Sequence, residues 1–558
     1  MNTVLLLEDK TALNIVKDEF NNCNDKDAQY ILNKLFCEKV INIKQHELNN
    51  LFILNNCDKI KDKKIDINIL KKIHTNISEI INDPINNYII PEKDQINEHL
   101  KLEIFSLLLQ RTTASKSDAT ELLVQSILTN EHIYTIRQDN NQELWIYKDG
   151  IYKPEGISYI KQFCRNILDT AYTTQLLNQI IAKIEADTFI EQNEFFIEED
   201  VNLIPVDNGI LNIKTKELQP FNPKYKFFNK LPVKFNTDKK CPAILEFLND
   251  VLGNKDDINL IQEIMGYLLY RDYKYEKSFM FLGGGRNGKG KTLELMKRFI
   301  GIENCSNVSL SDLERDMFSR YELFKKLANL SGDISKKALV DTNHFKSLTG
   351  HDLQGAPRKN KTRINFTNYA KMLFAVNELP VTYDLTEAFF DRWILINFPF
   401  TFKEQHEIDA AEDKTRLKLK DTEKIEKIST PDELSGLLNW ALDGFNKLLK
   451  NDKFSYSTST SEVKRKWLRT SSSLLAFIED EVEKDFKSEI SKSEFKDEYF
   501  KYCIENDIKL ESDKRINYVL TTDMGCSLFQ NSSDGKRYWS GIKFKKNKII
   551  SDMNQFEV

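Results

Sequence analysis

Along the chain, apolar residues change their spacing several times, and each change marks an expected element. Over residues 1–115 Leu, Ile and Phe recur at helical spacing between Asn, Lys and Asp, as in "DAQYILNKLF" and "LEIFSLLLQR", which predicts a helical N-terminal domain. Residues 116–240 switch to short aromatic and β-branched runs, "HIYTI", "ELWIYKDGIYK" and "IPVDNGILNIKTKEL". Their Asp-Gly and Asn-Gly punctuation predicts hairpins in a mixed α/β accessory region. A helical lead-in occupies 241–275. Over 276–405, strand-like runs at 278–282, 326–331, 370–377 and 393–398 alternate with helical segments, the order of a largely parallel sheet. Apolar positions three and four apart in "DELSGLLNWALDGFNKLLKN" predict a helical lid over 406–455. The Ser/Thr cluster "SYSTSTSEV" is read as a linker, 456–480. The last segment, 481–558, joins an amphipathic helix to a basic strand pair, the composition of a winged helix. The fold class expected is multidomain α/β.

Composition narrows the function classes. The 558 residues are 41% hydrophobic and 30% charged, with no apolar run near the roughly 20 residues that a membrane span needs. The opening "MNTVLLLEDK" lacks a basic n-region and cleavage site, so no signal peptide, no membrane partner and a cytoplasmic location are expected. Eight scattered cysteines without a Cys-x-x-Cys pair argue against structural zinc and for a reducing compartment. The net charge of −5 means that nucleic-acid binding must come from local basic patches.

The stretch "FMFLGGGRNGKGKTLEL" carries the chemistry. A strand that ends in a glycine-rich turn before a helix aims backbone N–H groups at one point, where phosphate oxygens fit. Two registers overlap. The strict pattern Gly-x4-Gly-Lys-[Ser/Thr] is met by Gly285, Gly290, Lys291 and Thr292, whereas the end of the strand favours Gly283, Gly288 and Lys289. In the second register Gly290 stands where a hydroxyl would hold Mg2+, leaving Thr292 as a substitute ligand.

The stretch resembles the phosphate loop of superfamily 3 helicases, in particular the phage and plasmid primase-helicase family with its poxvirus-type relatives in the AAA+ class. That family's Gly-x-Gly-x-Asn-Gly-Lys-Ser core falls on Asn287, Gly288 and Lys289, which favours Lys289 and keeps Lys291 with Thr292 as the alternative. The expected ATP-binding set is Gly283, Gly285, Asn287, Gly288, Lys289, Gly290, Lys291 and Thr292. Downstream, "KLANLSGDIS" offers Asp333 for Mg2+ or the attacking water, although Gly332 stands where related enzymes show a second acid. The run "KSLTGHDLQGAPRKNKTRINF" resembles the segment that leads into a basic pore hairpin, where Arg358, Lys359, Lys361 and Arg363 would pair with DNA phosphates. By the same resemblance Asn377, after "MLFAV", orients water as sensor 1. Arg392, before "WILINF", reaches a neighbouring subunit's nucleotide; its alternative is an ion pair with Asp391 or a nearby acid.

The resemblance implies an ATP-dependent replicative DNA helicase, a homo-oligomer and in particular a hexamer, moving 3' to 5' on single-stranded and forked DNA. ATP would be the substrate, Mg2+ the cofactor, and a primase or polymerase in trans a partner. Two alternatives stay open: a bifunctional primase-helicase, or a nucleotide-binding origin or defence assembly protein with weak ATPase, which Gly290 and Gly332 motivate.

Overall fold

The computed structural model describes residues 92–545, apart from 111, 138–141, 198, 333–338, 340, 359–360 and 507. Residues 1–91 of the expected helical domain, Asp333 and Lys359 therefore lie outside the described residues, as do 546–558 and the side chain of Lys361. Two compact units are present, 1–197 and 198–558.

In the first unit, strands Ile151–Lys153, Glu143–Lys148 and Ile133–Ile136 form an antiparallel meander, and Phe189–Ile190 adds a parallel edge. Asp149 and Gly150 turn the first hairpin with φ of 51° and 97°, the left-handed pair that a two-residue hairpin loop requires. Helices Thr113–Asn130, Gly156–Leu168 and Thr174–Asp187 share a core with this sheet through Leu123, Ile127, Leu144, Ile160 and Ile180.

The second unit contains helices α1 (Pro242–Leu252) and α2 (Lys255–Leu268), then a five-stranded parallel sheet. Its strands in chain order are β1 (Ser278–Leu282), β2 (Cys305–Ser306), β3 (Ala328–Ser331), β6 (Lys371–Val376) and β7 (Trp393–Asn397); in space they run β7-β1-β6-β3-β2. Helix α3 (Lys289–Ile300) follows β1. Between β3 and β6 come helix α4 (Asn343–Thr349) and an antiparallel hairpin, β4 (Leu353–Arg358) with β5 (Lys361–Thr367). The central strands β1, β3 and β6 are buried at every position, as expected of a parallel sheet covered on both faces. Phe279, Met280 and Phe281 expose nothing, and each such burial is worth about 1.5–3 kcal/mol.

Helix α5 (Pro431–Asn451) crosses α2 at two glycines. A methyl group at Gly266 would strike the Ala441 carbonyl, and one at Gly444 the Gln262 carbonyl, so only glycine permits this approach.

The linker expected over 456–480 is instead two helices, α6 (Thr460–Ser471) and α7 (Ser473–Glu481). The Ser/Thr cluster caps α6: Ser459 and Glu462 form a reciprocal capping box. Trp467 is fully buried against Phe389, Phe390 and Trp393, and its Nε1 donates to the Pro380 carbonyl at 2.8 Å. Beyond α7 follow β8 (Val482–Ser491), α8 (Lys492–Glu505), α9 (Asp513–Tyr518), β9 (Ser527–Gln530) and β10 (Arg537–Phe544). The three strands make one sheet in the order β8-β10-β9.

Candidate nucleotide and nucleic-acid sites

The C-terminal edge of the parallel sheet gathers the loop residues. Leu282 pairs with Val376, so Gly283 and Asn377 leave neighbouring strands side by side. Gly283 cannot be another residue, because a Cβ there would overlap the Asn287 amide and press on the Phe398 carbonyl. Gly288 has φ 89° and caps α3, with Val251 packed where a side chain would be.

Lys289 opens α3 and turns back into the loop. Its Nζ donates to the carbonyls of Gly283 (2.6 Å) and Gly284 (3.0 Å), to Asn287 Oδ1 (3.0 Å) and to Asn377 Oδ1 (3.1 Å). Only 7% of this residue is exposed. Lys291, two positions on, points elsewhere: its Nζ pairs with Glu294 Oε2 at 2.9 Å, and this bond chiefly holds the Glu294 carboxyl below its usual range. Gly284, Gly285 and Gly290 have no atoms within 4 Å of where a Cβ would sit, so the loop is open on that side and Gly290 is not imposed by packing.

The Mg2+ expectation for Thr292 does not fit. Its hydroxyl is fully buried and donates to the Gly288 carbonyl at 3.1 Å, within the helix. The remaining expected ligand, Asp333, lies outside the described residues; β3 ends two positions before it, on the same edge as Asn377. Among the described residues no group of three or more His, Cys, Asp or Glu could hold a metal ion.

Beside the loop is a cavity of about 580 Å³ that local patterns could not show. Its wall includes Phe247 and Val251 from α1, Gly288 and Lys291, and Phe402 and Leu419 from the segment beyond β7. Phe402 is keyed to the loop, since its N–H donates to the Arg286 carbonyl at 2.6 Å; the Arg286 guanidinium meets Glu407 at 3.2 Å.

The hairpin brings Arg358 opposite Lys361 across its tip, whose residues 359–360 lie outside the described residues. Arg363 is exposed and lies across Gly355 of the partner strand. Arg358 lies over the Tyr321 ring at 5.6 Å. One basic residue escaped the sequence reading: Arg320, whose charge is disfavoured chiefly by burial, favoured by Asp316 and disfavoured again, less strongly, by Arg363. Its neighbour Tyr321 in "FSRYELF" was the available signal, an aromatic beside an arginine.

Arg392 is held by contacts within the chain. Nε donates to Thr349 Oγ1 (2.9 Å), Nη1 to the Ala388 carbonyl (2.6 Å) and Nη2 to Glu276 Oε2 (3.2 Å). The ion pair is therefore with Glu276, whereas Asp391 pairs with Lys277 at 3.1 Å. The structure thus brings Lys289, Asn287 and Asn377 together and leaves Arg392 apart from them.

Residues 281–392 match a family of unknown function (DUF5906), and residues 125–253 match the family described as D5 N terminal like. Over 522 residues the chain is 24% identical to protein V13 of Sputnik virophage, which carries a helicase's name; the match covers 85% of this chain and 64% of V13. Over 208 residues it is 23% identical to protein C962R of African swine fever virus, which carries a primase's name, covering 35% of this chain and 22% of that one. The chain thus spans less than two thirds of either relative's length. Among solved structures, the apo A form of the NrS-1 C-terminal region aligns over 75% of this chain and 98% of that one, at 13% identity and a TM-score of 0.42.

Proposed function

We propose, on the likeness to a viral protein with a helicase's name and the D5-type match, that this chain is a phage- or virus-type primase-helicase relative and an ATP-dependent, ring-forming superfamily 3 DNA helicase. One observation carries the reading. Lys289 is clasped by two loop carbonyls and the amides of Asn287 and Asn377 at the edge of a parallel sheet. These acceptors are neutral, and charged phosphate oxygens make stronger bonds to an ammonium. ATP would draw Lys289 onto its terminal phosphates and free the Asn377 amide to orient water. The strand order β7-β1-β6-β3-β2 supports an AAA+ core, and the order α7-β8-α8-α9-β9-β10 supports a winged helix. Mg2+ would be held through Asp333 rather than Thr292.

The cavity beside Gly288 suits the nucleoside: its volume is in the range of small-ligand sites, and Phe247 and Phe402 offer apolar faces for a base. Stacking of a base on an aromatic ring is worth about 1–3 kcal/mol. Phe402→Ala is expected to raise the KM for ATP about tenfold and leave kcat within about twofold, read by steady-state hydrolysis.

Of the expected set Arg358, Lys359, Lys361 and Arg363, Arg358 is buried against Tyr321; Lys359, Lys361 and Arg363, joined by Arg320, would follow the backbone of single-stranded DNA. Replacing Lys359 and Lys361 by Ala should weaken binding about equally for unrelated sequences and lower the salt slope by about 0.7 per lost phosphate contact. An unchanged slope in a salt titration would mean that the basic run is only a solvated turn. The whole reading is tested by ATP turnover with and without single-stranded DNA, beside native mass. DNA-stimulated turnover by a ring supports it; a monomer with no stimulation favours the assembly-protein alternative.

A further inference from the structure

Two of the three guanidinium nitrogens of Arg392, Nε and Nη2, tie two distant segments together, while Nη1 stays on the Ala388 carbonyl four residues back. On one side is Thr349, the last residue of α4, fully buried, with its hydroxyl also donating to the Phe345 carbonyl at 2.9 Å. Four residues later the basic hairpin begins at Leu353. On the other side is Glu276, two residues ahead of β1, the strand that ends in the phosphate loop. Glu276 adopts a φ of 50°, in the left-handed region that a non-glycine residue adopts at a cost. A second contact joins the same two segments: His351 Nε2 lies 2.6 Å from Asp272 Oδ1. The main chain of Arg392 completes the junction, its carbonyl accepting from Ser278 N–H at 2.6 Å.

In this arrangement the Arg392 side chain is 15% exposed and its three nitrogens are all engaged within the chain. The Glu276 side chain is half exposed, and exposed ion pairs are weak, so a phosphate can displace it. The Thr349 bond is different, because the hydroxyl is fully buried at the end of α4, so a movement of that end opens it. That movement also moves the root of the hairpin.

We propose that Glu276 and Thr349 form a latch that holds Arg392 in its own subunit until the hairpin engages DNA, so that DNA binding releases the arginine to the neighbouring nucleotide. This rests on the proposed trans role of Arg392. Glu276 is a positioning residue that acts through Arg392 and touches neither substrate.

The test uses the full-length assembled protein. Glu276→Gln should raise ATP turnover without DNA by about two- to fivefold, the population change that an exposed ion pair can support, and leave the DNA-stimulated rate near wild type. The stimulation ratio therefore falls. Thr349→Val, which keeps the volume and removes the hydroxyl, should shift the ratio in the same direction. In an Arg392→Ala background Glu276→Gln should change nothing further, since no arginine remains to free. If Glu276→Gln left both rates at wild type, or lowered both, the latch would be wrong while Arg392 could still act in trans. If wild-type protein showed no DNA-stimulated hydrolysis at all, the helicase reading would fail and the latch with it.

Discussion

Lys289→Ala protein is expected to lose ATP hydrolysis by about 10²- to 10³-fold, the usual cost of removing one preorganised electrostatic donor, while Lys291→Ala keeps most of its activity. The two lysines are two residues apart on one helix, and the sequence patterns disagree about them. Their surroundings do not. Lys289 Nζ is buried at the sheet edge among four oxygens, one of which belongs to Asn377 on the adjacent strand. Lys291 Nζ makes a pair with Glu294 on the exposed helix face, and pairs at this spacing stabilise a helix by only about 0.2–0.5 kcal/mol. Because Lys291 also borders the cavity, its loss should appear in KM more than in kcat. A coupled-enzyme ATPase assay, with circular dichroism to confirm folding, decides the matter. Loss with Lys291→Ala and retention with Lys289→Ala would move the nucleotide to the register that begins at Gly285.

The second large effect is expected at Arg392. A guanidinium that stabilises charge developing on a transferred phosphoryl group is worth about 10³ to 10⁵ in rate, so Arg392→Ala should bind ATP with near wild-type affinity and hydrolyse it poorly. If the arginine acts across a boundary, each impaired site needs only a good neighbour. Rings re-formed from a mixture of Arg392→Ala and Lys289→Ala subunits should therefore recover part of the activity, since an intact phosphate loop can meet an intact arginine. The cis contacts to Thr349, Ala388 and Glu276 sharpen this experiment. Were they the whole role of Arg392, Arg392→Ala would lower the melting temperature and mixing would restore nothing. No recovery, together with normal hydrolysis by Arg392→Ala alone, would make it a structural ion pair.

Local pattern determined those parts of this protein in which neighbours in sequence are also neighbours in space. The apolar run of β1, the glycine turn and the start of α3 form one continuous segment, so strand, loop and helix could be read directly. The same holds for the Asp149–Gly150 hairpin and the two helices before the sheet, whereas the hairpin from Leu353 to Thr367 is expected from the family resemblance. Where pattern misled, the missing information was a distant partner. The segment around Ser459 looks like a flexible linker because the tryptophan that anchors it, Trp467, finds Phe389 and Trp393 more than 70 residues away. Spacing alone could not choose between Lys289 and Lys291, since the difference lies in Asn377, 88 positions on, delivered by parallel pairing of β6 with β1. The cavity, the Arg320–Arg363 approach and the Glu276–Arg392 pair likewise join segments that no periodicity connects. Secondary structure follows from short-range sterics and hydrophobic spacing, whereas a site is fixed by which strand edges and loops the shared core brings within hydrogen-bond reach, and only the folded chain decides that.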